Sequence, residues 1–403
     1  MARAVFWTAL LLLAWTQAGY GVALRLLRRA RGNPPVTPGA ETAASGAPAP
    51  PGTDGPHAAD AAPPDADALP RVAFIVAAFR EEAVVARRVA NALALDWPRD
   101  RLEVVVAVDG GADPGADATA QRAREAGADL VLELPRAGKV RAQDAAVAAS
   151  RGELLAFSDA NALWAPDALR RLAAPFTDPG VGYACGRVRF VDPAGTNQEG
   201  IYWRYDLWLR AQESALASVT AGNGAIYAVR RSRYLHVDAV MGHDLAFPFN
   251  VVRRGARAVY APDALASEKM VPSIEGEWAR KRRMMSHAWP IVLRGGMLDL
   301  RGLGPLYGLM IVSHRLLRYA SPALHLAAAA STLALLRASR AARLAALAQA
   351  GLLAAAAAGG RVRSRPLLVA RYYVAMTAAL AAGLGDHLRH GTPAGWEAPE
   401  GTR

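Results

Sequence analysis

The hydrophobic pattern divides the chain into three parts. Residues 5–24 form an uncharged apolar run containing Phe6, Trp7, Trp15 and Tyr20. At about 1.5 Å of rise per residue it is long enough to cross a bilayer core, so a transmembrane helix is expected. Gly21-Val22-Ala23 offers a cleavage-like site for a secretory signal, but Arg25, Arg28, Arg29 and Arg31 follow the apolar run instead of preceding it. Positive charge stays on the cytoplasmic side, which predicts that everything downstream is cytosolic. Residues 32–70, rich in Pro, Ala, Gly and Asp and without apolar periodicity, are expected to be an unfolded tether.

From Arg71 short apolar runs alternate with amphipathic stretches. Residues 72–78, 102–108, 130–134 and 154–157 read as strands, and 82–95, 117–126 and 139–150 as helices. The alternation predicts an α/β domain, a mainly parallel sheet flanked by helices, with ligands bound beyond the carboxyl ends of its strands. Helices are also expected at 246–254 and 273–289. Past Gly302 the apolar runs return at 303–312, 321–336, 344–359 and 366–384. They predict an interfacial amphipathic helix at 306–319, with Arg315 and Arg318 towards lipid headgroups, and about three C-terminal membrane segments. Arginines in both intervening turns strain that count, and alanine-rich core helices are the alternative. The resulting division is an anchor with a basic flank (1–31), a linker (32–70), the α/β domain (71–300), the interfacial helix (301–320), the membrane segments (321–386) and a tail (387–403).

Composition changes this picture little. The formal net charge of +12 comes from an Arg-rich chain whose only lysines are Lys139, Lys269 and Lys281. Such a bias follows from a GC-rich genome, and no nucleic-acid partner is inferred from it. A single cysteine, Cys185, excludes an internal disulfide framework.

Candidate chemistry lies at strand ends. Ser158-Asp159-Ala160-Asn161 places two oxygen ligands where enzymes hold a divalent cation against a diphosphate, although the same residues form ordinary turns. Asp109, followed by Gly110-Gly111-Ala112-Asp113, suits a base or ribose contact, or a turn with Asp113 or Asp117 as helix cap. Lys139 follows Gly138 at a helix start, where its ammonium and the helix amides suit phosphate. Asp244, in Gly242-His243-Asp244-Leu245, is a helix N-cap or a catalytic base, and His243 reads as peripheral. Arg280-Lys281-Arg282-Arg283 points around a helix axis, so only one or two of these side chains reach any one ligand.

Taken in order, these segments resemble the family-two inverting glycosyltransferases of the GT-A fold, especially bacterial membrane-bound members. The resemblance covers about 71–319 and extends to Trp396-Glu397. Val76-Ala77-Ala78-Phe79-Arg80-Glu81-Glu82 resembles the opening strand and "NEE" turn, with Arg80 in place of Asn. The resemblance implies nucleotide binding by Ala78, Glu81, Asp109, Lys139 and Asp159. It further implies Mg2+ or Mn2+ on Asp159 and Asn161, in a DxN form of the DxD motif, and a sugar and acceptor pocket at Gly222, Asn223 and Gly224. Asp244 falls on the catalytic base, and Arg280 and Arg283 on the diphosphate-binding motif. Asp144 stands where the family usually has Asn. In the basic motif Arg280 and Met284 replace the Gln and Trp of processive synthases, which favours addition of one or a few sugars.

The implied reaction is inverting transfer from a nucleotide sugar, a UDP-sugar by preference, to a membrane lipid or lipid-linked acceptor at the bacterial inner membrane. A processive polysaccharide synthase and an inactive scaffold of the same fold are the alternatives. A sugar nucleotidyltransferase is disfavoured, because no Gly-rich phosphate loop follows the first strand.

Overall fold

The computed structural model describes residues 1–31, 69–191, 200–269, 274–362 and 364–395. The tether at 32–68 and the Trp396-Glu397 pair lie outside the described residues. Helices α1 (Ala2–Ala14) and α2 (Tyr20–Arg31) form one rod through a π-helical turn at Trp15–Gly19. Then come β1 (Val72–Ala78), α3 (Val85–Leu93), β2 (Leu102–Asp109), α4 (Thr119–Glu125), β3 (Leu130–Leu134), α5 (Lys139–Ala149), β4 (Leu154–Asp159), β5 (Leu163–Trp164) and α6 (Ala168–Ala173). The second half holds β6 (Val181–Val191), α7 (Ile201–Leu216), β7 (Tyr227–Arg230), α8 (His243–Arg253), β8 (Arg257–Lys269) and α9 (Ile274–Leu293). Four further helices follow, α10 (Pro305–Met310), α11 (Leu317–Leu335), α12 (Arg340–Ala358) and α13 (Arg365–His390).

One sheet of order β3-β2-β1-β4-β7-β6-β8-β5 organises the domain. Strands β3, β2, β1 and β4 are mutually parallel, while β7 turns antiparallel to both β4 and β6. Alternate side chains of β1 face opposite layers, as strand geometry dictates. Phe74 and Val76 pack with Val89 and Leu169, whereas Ala73 and Ile75 pack with Ala142, Ala146 and Phe247. Burial on both faces is why β1 and β4 are almost continuously apolar, whereas the edge strand β3 is half-buried and carries Glu133. The register sets Asp159 level with Ala77 and pairs Ala78 with Val108, so Asp159 and Asp109 emerge at the same edge on either side of β1.

Among the described residues three helices, Ala2–Arg31, Arg340–Ala358 and Arg365–His390, are long and apolar enough to cross a membrane. Two of the C-terminal helices meet that measure where about three were expected, because α11 carries Ser321, His325, Ser331 and Thr332, which break its apolar run. The second half of α13 is committed to α9. Trp289 Nε1 donates to the Leu380 carbonyl at 3.0 Å, Gly383 abuts Met285, and Arg282 forks onto Asp386 at 2.6 and 2.5 Å.

The expected interfacial helix is also corrected. Arg315 and Arg318 turn inward instead of towards lipid, because a π-helical turn at Ile311–Leu316 rotates the face that carries them. Arg315 Nε donates to Thr220 Oγ1 at 2.8 Å, and Arg318 Nη1 to Asp206 at 2.9 Å. Glu213 of α7, fully buried, accepts from Tyr20 Oη (2.6 Å) and from the Thr220 amide (3.2 Å) and hydroxyl (2.9 Å), with His314 Nδ1 at 2.7 Å. This polar network ties the N-terminal helix to the segment that leads into Gly222.

Candidate active site

The turn after β1 carries strain. Arg80 adopts a φ of 52°, a left-handed conformation that an L side chain resists and that Asn or Gly accommodates. Relief of about 1–2 kcal/mol of left-handed strain, less the roughly 0.5–1 kcal/mol of extra chain entropy a glycine loses on folding, leaves Arg80→Gly a net stabilisation of about 0.5–1 kcal/mol, read as a rise in the thermal midpoint. Behind it, the buried Glu81 is fixed through its backbone: its N–H donates to Thr119 Oγ1 at 2.8 Å, and its carbonyl accepts from Val84 and Val85. Asp117 takes the amide of Thr119 (3.1 Å) at the start of α4.

The crevice at the strand ends is lined by Ala77, Ala78, Phe79, Asp109, Arg136, Lys139, Asp159 and Ala160. Of the expected nucleotide residues, Ala78, Asp109, Lys139 and Asp159 meet here. Asp109 is 3% exposed and accepts from the amides of Ala137 (2.7 Å) and Gly138 (3.0 Å) and from Arg136 Nη1 (2.5 Å). The Arg136 guanidinium lies 3.2 Å from the centre of the Phe79 ring. Neither Phe79 nor Arg136 was expected in the site. The only sequence signal was their position, one just past each of two strand ends.

Lys139 starts α5, and its ammonium pairs with Asp159. Burial works against its charge, but Asp159, aided by Asp244 and Glu268, outweighs burial and raises its pKa. Asp244, 85 residues from Asp159 in the chain, thus acts on the same ammonium. It is not the N-cap of α8: Gly242 caps that helix, and Asp244 sits in its first turn, with its carbonyl accepting from the Gly222 amide at 2.7 Å.

The three residues of the expected sugar pocket part company. Gly224 faces the crevice, where an added Cβ would lie 3.4 Å from Lys139 Nζ and 3.8 Å from an Asp159 oxygen. Gly222 is packed from behind, since an added Cβ would fall 1.9 Å from the Tyr183 hydroxyl. Asn223 spends its amide on the backbone, donating to the Gly186 carbonyl (2.6 Å) and accepting from the Ile226 amide (3.0 Å).

A further carboxylate, Glu268, enters from the end of β8. Ser267 pairs with Leu163, which brings Glu268 opposite the chain just after Asn161. Burial and Asp159 push its pKa up to about 7, against the pull of Arg280 and Lys139. No sequence spacing marks Glu268, because β5 and β8 meet only through the fold. The basic cluster divides as helical geometry requires: Arg280 acts on Glu268, Arg282 faces Asp386 of α13, and Arg283 and Asp244 both act on His287. Among the described residues no three His, Cys, Asp or Glu side chains form a metal cage. Asp159, Asn161 and Glu268 nevertheless offer the hard oxygen donors that suit a cation sharing its shell with substrate phosphates.

His243 is buried, not peripheral. Its Nδ1 lies 2.8 Å from Tyr227 Oη, and its ring stacks on Phe247. Burial first, then Lys139 and His236, lowers its pKa to about 3. The unfolded chain therefore takes up a proton near pH 6.5 that the fold refuses, so stability falls as pH drops from there towards 3. The expected loss is about 2 kcal/mol between pH 7 and pH 5, and His243→Phe should flatten that slope in thermal melts.

A parallel-to-mixed sheet with acidic strand ends and a lysine-bearing helix start defines a GT-A-type enzyme fold. The chain belongs to the glycosyltransferase-like family 2, whose model matches residues 70–286. It is 27% identical over 232 residues to an N-acetylglucosaminyltransferase of Rhizobium leguminosarum bv. viciae, covering 53% of this chain and 54% of that one. A beta-monoglucosyldiacylglycerol synthase of Trichormus variabilis is 30% identical over 176 residues, covering 40% and 36%. The chain thus spans about half the length, or less, of these curated relatives. The mannosyltransferase PcManGT of Pyrobaculum calidifontis, solved with GDP-Man and Mn2+, shares the fold over 96% of this chain and 99% of its own, with a TM-score of 0.67 and 24% identity.

Proposed function

We propose that the protein transfers a sugar, with inversion, from a nucleoside-diphosphate sugar to a membrane lipid or lipid-linked acceptor. The convergence of Asp159 and Asp244 on Lys139 carries this reading. Asp159 and Asn161, with Glu268 beside them, would hold Mg2+ or Mn2+, which supplies Lewis acidity to the leaving diphosphate. Lys139 places a fixed positive charge at the start of α5 where the phosphates would lie. Asp244 removes the proton from the acceptor hydroxyl as that oxygen attacks the anomeric carbon in line. Arg280 and Arg283 offset negative charge on the departing diphosphate. The three apolar helices support a multi-pass membrane enzyme, and Arg25 to Arg31 support a cytosolic catalytic domain. The activities of the relatives, transfer of N-acetylglucosamine and synthesis of a glucosyl lipid, support a sugar donor and a lipid acceptor.

Membranes containing the protein, offered a panel of labelled UDP- and GDP-sugars, are expected to label the lipid fraction with one donor and only when a divalent cation is present. Asp159→Ala should lose that labelling. Label in long water-soluble polymer would instead mark a processive synthase, and no transfer from any donor would leave the inactive scaffold.

A further inference from the structure

The end of the described chain reaches back to the donor crevice. After α13, Gly391 turns the chain at a φ of 70°, and Thr392 Oγ1 donates to the Ser286 carbonyl at 3.0 Å, with His387 Nδ1 at 2.9 Å. Ala394 then lies directly on Gly138: a Cβ built there would come within 2.2 Å of the Ala394 carbonyl oxygen. A Cβ on Gly395 would lie 3.4 Å from Arg136 Nη2. Beneath this strap the Arg136 guanidinium covers the Phe79 ring and pairs with Asp109. A flat group stacked on an aromatic face and hydrogen-bonded to a carboxylate is what a nucleobase would present to the same two side chains. The space left in the crevice is about 10 Å³, no more than one water occupies. On the strap's other side Pro393 lines an open cavity of about 410 Å³ with Trp278, Arg282 and Arg283.

We propose that residues 391–395 are a lid that holds Arg136 in the nucleoside slot as an internal stand-in for the base. Donor entry then requires the strap to lift and Arg136 to leave Phe79 and Asp109. Because the strap continues from α13, which is packed along α9, movement of α13 against the domain is transmitted to the donor slot. The inference rests on the donor-site reading above.

The test measures UDP and GDP binding, by calorimetry and stopped-flow, to the full chain, to Thr392→Val, to Arg136→Ala and to a chain ending at Gly391. If the lid is closed in about nine molecules of ten, removing it tightens binding about tenfold and speeds association. Thr392→Val and Arg136→Ala should move the same way. Weaker or unchanged affinity in the variants would overturn the lid, since it would make the strap or Arg136 part of the binding wall or a bystander. Hydrogen exchange of the Ala137 and Gly138 amides needs no nucleotide: it should quicken in Thr392→Val, and unchanged exchange also counts against the lid. If exchange quickens yet no variant binds either nucleotide, the donor-site reading fails and the lid loses its role with it.

Discussion

Asp244→Asn is expected to lower sugar transfer by about 10²–10⁴-fold, the usual share of a general base, while leaving nucleotide affinity unchanged. The amide keeps the shape of the carboxylate but cannot accept the acceptor's proton. The structure isolates this effect. Asp244 holds the fold through its backbone, whose carbonyl accepts from Gly222, and that bond survives the substitution. It acts on the Lys139 ammonium through charge alone, whereas Asp159 also hydrogen-bonds that group, so its loss should appear in kcat far more than in the dissociation constant of the nucleoside diphosphate. Full transfer by Asp244→Asn would move the base elsewhere, with Glu268 the next carboxylate to examine.

The second large effect is one of stability. Glu213→Ala is expected to destabilise the protein by about 3–5 kcal/mol, because it strands buried partners that were paired. Burial raises the Glu213 pKa, yet His314 first and then Arg315 and Tyr20 more than offset this, so the carboxyl stays ionised. Removing it leaves Tyr20, Thr220 and His314 without that acceptor at the junction of α2, α7 and the π-helical turn. A thermal shift together with loosening of the N-terminal helix, seen as faster proteolysis of the tether junction, would check it. Glu213→Gln retains part of the network and should cost less.

The parallel half of the domain was legible because β1, β2 and β4 are buried on both faces, which writes them as nearly unbroken apolar runs, while the edge strand β3 is half-buried and carries the exposed Glu133. The strands β1 and β3 end where that pattern ends, while β2 and β4 run on to include Asp109 and Asp159 themselves. The mixed half was not legible. β5 is two residues long, β7 is four, and β8 is irregularly paired with β6, so none shows a clean period.

The amphipathic stretch around Arg315 and Arg318 illustrates a different limit. Its pattern reports that one face is polar, but lipid headgroups and a buried carboxylate pair satisfy that pattern equally. Only the packing of α7 against the π-helical turn selects Asp206, Glu213 and Thr220 as the partners. Asn223 shows a related limit, since no local spacing marks the backbone groups, brought near by β6 and β7, that its amide bonds.

By itself the sequence determined the class of fold, the apolar helices at the two ends and the acidic strand ends where chemistry would gather. Those properties are local: hydrophobic period, charge flanking and residue type are all carried by near neighbours in the chain. Which of the polar groups act on one another was decided by tertiary structure alone. Lys139, Asp159, Asp244 and Glu268 come from four different elements, and Arg136 and Ala394 from segments some 250 residues apart. Their meeting depends on strand order, register and helix docking, long-range terms that no local spacing records.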